Sequence, residues 1–145
     1  MSQRENELIA LSEQLCPMSW DHGLESLSDA EQVFVTIWEL EAEVNNGGFS
    51  QYYWNSAGDH AEQAVTSLET IGAPKMADIV RQANAVFLDG PPEDQERRIE
   101  FLEALEADAT FNRLTEKFCA YPENLSQLLY DYVRANLRGF QGEEG

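Results

Sequence analysis

The sequence predicts an all-α fold, a single compact domain of about six or seven helices. Three observations carry that prediction. Apolar residues recur three or four positions apart along nearly the whole chain. Helix start and stop signals punctuate those runs at helical lengths. No segment shows sustained period-2 alternation between turn signals, so nothing reads as a strand. The 145 residues, with 43% hydrophobic and 10% aromatic content, suffice for one real core.

Taken in order, Leu8, Leu11 and Leu15 give residues 2–15 an amphipathic helix, which Pro17 is expected to end. Residues 16–27 then read as a loop, with Trp20 or Leu24 turned inward. Ser28 and Glu31 form a capping box, followed by Val33, Phe34, Ile37, Trp38, Leu40 and Val44 at helical intervals. Asn45-Asn46-Gly47-Gly48 stops that helix, because Asn and Gly tolerate positive φ. Phe49, Tyr52, Tyr53 and Trp54 follow in a short aromatic helix, more apolar area than a surface turn needs, so this corner is expected to anchor the core.

After a turn near Gly58, Ala61, Ala64, Val65 and Leu68 define a helix over residues 59–71, with Gly72 just past its end. Pro74 opens the next, whose apolar face is Met76, Ile79, Val80, Ala83, Val86 and Phe87. Asp89-Gly90-Pro91-Pro92 breaks the chain, and Glu93 and Asp94 favour a helix start. Ile99, Phe101, Leu102 and Leu105 continue that helix. Phe111, Leu114 and Phe118 mark a short one, ended by Tyr121-Pro122, and Leu125, Leu128, Leu129, Tyr132, Val133 and Leu137 mark the last. The domain is thus expected over residues 1–138, with residues 139–145 a frayed tail.

The charge is extreme: 27 Asp and Glu against 9 Lys and Arg, a formal net charge of −18. Such a surface repels nucleic acid and anionic membranes and suits a basic partner, a cation or simply solubility. Solubility alone needs a net charge of magnitude about 2–8, so the excess asks for a further reason. Cys16 and Cys119 lack metal-ligand spacing and read as buried reduced thiols. With no signal-peptide pattern and no run of about 18 apolar residues, a cytoplasmic protein is expected.

Two acidic groups stand out as candidate partner-binding residues. Glu93, Glu96, Glu100 and Glu103 recur three or four apart, on one helical face, with neighbours about 4.5–6 Å apart along the axis. Phosphates on a DNA strand repeat every ~3.4 Å of axial rise, a comparable spacing. Arg97 and Arg98, in the same helix, are expected to offset the repulsion within the row. The second group is Glu39 and Glu43 on one helix with Glu62 and Glu69 on the next. The bland alternative is a set of solvated helix faces.

Enzymatic chemistry finds little purchase. Asp59 and His60 are neighbours on a helix and do not face each other. No nucleophile elbow, phosphate-binding glycine loop or dinucleotide fingerprint is present, and no calcium-loop or Glu-x-x-His spacing occurs. No cofactor, metal or catalytic residue is therefore expected. An alternative is a small-molecule or metal-dependent enzyme with a pocket formed by Asn46, Gln51, Tyr52, Asn55 and His60, for which Asn45 could also supply a polar group. A third is a structural acidic protein with evenly spread charge.

The run Val44-Asn45-Asn46-Gly47-Gly48-Phe49-Ser50-Gln51-Tyr52-Tyr53-Trp54-Asn55, followed by Ile71-Gly72-Ala73, resembles a family of small bacterial helical proteins. That family is catalogued as a domain of unknown function and includes a neisserial DNA-mimic protein. The resemblance extends from about Glu31 to Leu137, with motif residues matched between Val44 and Ala73. It implies an all-α fold, a homodimer, and an acidic surface that occupies the DNA-binding face of a transcription factor or nucleoid protein. The motif residues carry the fold, while mimicry belongs to surface carboxylates that the motif does not fix. The leading expectation is accordingly a non-enzymatic DNA mimic that competes with duplex DNA for a basic DNA-binding protein.

Overall fold

The computed structural model describes residues 2–140. Among them lie seven α-helices and no strand: α1 (Gln3–His22), α2 (Asp29–Trp54), α3 (Ala61–Thr70), α4 (Pro74–Asn84), α5 (Gln95–Ala104), α6 (Asp108–Cys119) and α7 (Leu125–Ala135). Short 3₁₀ turns occupy Leu24–Ser26, Ser56–His60 and Leu137–Gly139. The all-α expectation holds.

Helix α2 is the axis, and α1, α3, α5, α6 and α7 all pack on it. Its start is the predicted capping box: Ser28 Oγ accepts the Glu31 amide at 3.1 Å, and Glu31 Oε1 accepts the Ser28 amide at 2.9 Å. Phe34, Ile37, Leu40, Val44, Phe49 and Tyr53 follow, each at 1% exposure or less. The break falls within the predicted corner, at Gly47 and Gly48. Gly48 takes φ 77° and ψ −176°, a conformation confined to glycine. The Phe49 amide released by the break is accepted by Thr115 Oγ1 of α6 at 3.1 Å.

The corner is the packed hub that its composition implies. Tyr53 meets Phe49, Tyr52, Phe87 and Phe111, and Phe49 meets Phe118 edge-on. Trp54 does not join them and is 46% exposed, because it closes the helix on the outer side. Beneath the corner lies a fully buried cation, Arg98 of α5. Its Nε donates to the Tyr53 carbonyl (2.5 Å), Nη1 to those of Pro92 (2.9 Å) and Glu93 (3.2 Å), and Nη2 to that of Asn55 (2.8 Å). Nη2 also lies 2.9 Å from Asp59 Oδ1 in an ion pair.

Several local expectations are corrected. Pro17 sits inside α1 rather than ending it, since buried Leu15, Cys16 and Ser19 on both sides hold the helix together across one missing amide. Leu24, not Trp20, is the inward residue of the following turn; Trp20 is 66% exposed. Cys16 is buried, but Cys119, the last residue of α6, is exposed. Helix α4 ends at Asn84, and Phe87 reaches the core from the turn beyond. Gly139 and Phe140, expected in a frayed tail, are ordered: Ser28 donates to the Gly139 carbonyl, and Phe140 is fully buried edge-on against Phe34. Residues 141–145 of that expected tail lie outside the described residues.

Candidate protein-interaction surface

The α1–α2 contact leaves an open depression of about 450 Å³ lined by Glu13, Cys16, Pro17, Trp20, Trp38, Glu39 and Glu43, with Ser12 and Ala42. A second, of about 330 Å³, shares Trp20 and Glu39 with it and adds Glu25, Asp59 and His60. A third, of about 360 Å³, shares Glu25, Asp59 and His60 and adds Glu62 and Glu93. Through these shared walls the three adjoin in a row of depressions, hereafter the furrow. Its carboxylates, in order, are Glu13, Glu43, Glu39, Glu25, Asp59, Glu62 and Glu93.

Each is placed by a local device. Glu39 and Glu43 stand one turn apart on α2. Glu39 Oε2 accepts the Trp20 indole N–H at 2.7 Å. Glu43 Oε2 accepts the Gln51 amide (3.0 Å) and the Asn55 amide (2.8 Å), which reach back across the Gly47–Gly48 break. Asp59 is steered by Arg98, and Glu25 rides on the 3₁₀ turn after α1. Glu62 lies in the first turn of α3.

Burial pushes the Glu39 carboxyl above the usual carboxylate range; the Trp20 hydrogen bond opposes that rise and the negative charge of Glu43 adds to it. Glu41, on the neighbouring face of α2, is raised for the same first reason, with the 2.7 Å hydrogen bond from Tyr121 opposing it. The Cys16 thiol is pushed up to about 12, first by burial and then by Glu39, so it remains protonated and unreactive at the furrow floor.

The eight carboxylates singled out in the sequence do not form one group. Glu39, Glu43, Glu62 and Glu93 line the furrow. Glu96, Glu100 and Glu103 are exposed on α5, but Glu93 precedes the Asp94 cap and is not part of their helical row. Arg98 does not screen that row, because it points into the core. Glu69 pairs with Arg81 of α4 at 3.0 Å, outside the furrow. Glu13 and Glu25 escaped the sequence reading, since neither shares a helical face with the other candidates; only tertiary packing brings them in. Trp20 and Trp38 were legible as apolar residues but not as walls of an acidic groove.

The five residues of the enzyme alternative do not open onto a shared site. Tyr52 is 1% exposed, and Gln51 and Asn55 are bonded to Glu43. Asn45 donates to the Tyr121 hydroxyl at 2.7 Å, tying the break to the end of α6. Among the described residues, no group of three or more His, Cys, Asp or Glu is arranged to hold a metal ion, and no helix is long and apolar enough to cross a membrane.

No curated protein and no solved structure matches the chain. A family model described as DMP19-like protein matches residues 25–136, from Glu25 of the furrow to the residue that closes α7. With that match over most of its length, an all-helical architecture and the Asn-Asn-Gly-Gly corner at its centre, the chain belongs to the DMP19-like protein family.

Proposed function

We propose that this chain is a non-enzymatic DNA mimic whose acidic furrow engages the DNA-reading surface of a basic transcription factor or nucleoid protein, and so competes with duplex DNA. The observation that carries the reading is the furrow with seven carboxylates from six separate segments, on a chain of net charge −18. A partner's Lys and Arg side chains would neutralise charges that otherwise repel each other. Membership of the DMP19-like protein family, which includes a neisserial DNA-mimic protein, supports it. Glu39, Glu43, Glu62 and Glu93 are the central contacts in this reading, with Glu96, Glu100 and Glu103 of α5 extending the acidic surface beyond Glu93. Glu69, held by Arg81, contributes least. The protein acts in the cytoplasm, as a homodimer.

The test is capture of basic proteins from lysate of the source organism at low salt, followed by competition with duplex DNA. Reversing Glu25, Glu39, Glu62 and Glu93 to Lys is expected to abolish capture while circular dichroism shows unchanged helix content. The same reversal at Glu96, Glu100 and Glu103 is expected to weaken capture less. Undiminished capture by the furrow variant would sink the proposal.

A further inference from the structure

The α1–α2 end of the furrow differs chemically from its far end. The depression around Glu62 and Glu93 is walled largely by polar groups, whereas here Pro17, Trp20, Trp38, Ala42 and Cys16 provide apolar walls around Glu13, Glu39 and Glu43. Trp20 is two-thirds exposed, an unusual state for the largest apolar side chain, and its indole N–H is fixed to Glu39. Trp38 is stacked on Phe34 at 5.6 Å, so the ring is held from behind while it lines the groove. The hydrogen bonds to Glu39 and Glu43 fall on Oε2 of each carboxylate.

We propose that this groove receives the side chain of one arginine on the protein partner. The inference rests on the proposed function and names the group recognised at one point of the furrow. A guanidinium is planar, stacks on an indole face, and offers a fork of donors to carboxylate oxygens. Its methylene stem suits apolar walls. A lysine ammonium carries the same charge but cannot stack flat or donate as a fork. Arginine thus gains both from the rings and from the carboxylates, and a groove of about 450 Å³ has room for the whole side chain.

The experiment titrates the full chain with N-acetyl-arginine amide, with the lysine and citrulline equivalents as controls, and follows indole and amide NMR shifts. Saturable shifts of the Trp20 and Trp38 indole signals are expected with the arginine probe, with binding several-fold weaker for lysine and none for citrulline. Trp20→Leu should weaken binding about 2- to 5-fold, the share of an exposed cation–π contact. Glu39→Gln, which keeps an acceptor for Trp20, should weaken it about 5- to 10-fold through loss of a charge-assisted bond. Equal binding of the lysine and arginine probes, shifts scattered over the whole acidic surface, or full affinity in both variants would overturn the inference. Capture of a basic partner that persists after such a result would leave the mimicry reading standing. Arginine-selective binding without any DNA-competitive partner would do the reverse.

Discussion

Arg98 shows how one side chain can hold three segments. Its guanidinium gathers the carbonyls of Tyr53 and Asn55 at the end of α2 and those of Pro92 and Glu93 before α5, and it aims Asp59 at the furrow. Arg98→Met leaves four carbonyls and a carboxylate without that partner and is expected to destabilise the fold by about 3–5 kcal/mol, read as a lower urea midpoint. Gly58 lies directly against it: a Cβ there would come within 2.7 Å of the Tyr52 carbonyl oxygen and 2.9 Å of Arg98 Nε. Because the first of these is backbone, Gly58→Ala is expected to cost about 1–3 kcal/mol. The double variant should lose less than the sum, since both changes disturb one site. Strict additivity would show that the two residues act apart. Nothing in the sequence distinguishes Arg98 from Arg97, because both follow the same acidic run; burial alone separates them.

The helix boundaries were read well wherever a local chemical signal exists. Ser28 with Glu31, Pro74, and the Gly47–Gly48 break act through the backbone within a few residues, so sequence suffices to find them. The sequence misleads where tertiary packing overrides the local rule, as at Pro17. Cross-chain caps were equally invisible: Glu123 accepts the Lys75 and Met76 amides at 3.1 and 2.9 Å, from a loop far along the chain. Pro17 is a local defect on the wall of the proposed arginine groove, where function tolerates a broken rule. Pro17→Ala restores a helical donor and is expected to raise stability by about 1–3 kcal/mol in chemical unfolding. No gain would mean that the helix has already relaxed around the ring.

At the scale of the molecule, the charge of −18 works against compactness. Part of that opposition is local. Glu39 and Glu41 have carboxyls raised above the usual range, first by burial, so the native state binds these protons more tightly than the unfolded chain does. Their protonation favours folding, and that contribution fades as pH rises through the window above the ordinary carboxylate value. Thermal stability is therefore expected to increase as pH falls from neutral towards the ordinary carboxylate range. Added salt should also raise the midpoint at neutral pH by screening the surface charges. The double variant Glu39→Gln, Glu41→Gln should flatten the acid-side gain measured at high salt. An unchanged pH slope in that variant would place the effect elsewhere.

The sequence by itself determined the all-α class, the helix order, the corner and the net charge, because periodicity, capping and composition are local or additive properties. The tertiary structure alone decided which carboxylates face one another. Glu13, Glu25, Glu39, Asp59, Glu62 and Glu93 meet along one furrow only after α1, α2 and α3 have packed and Arg98 has drawn the segment before α5 beneath the corner. Like charges supply no attraction that could bring them together, so their grouping is imposed by the apolar core on the far side of each helix.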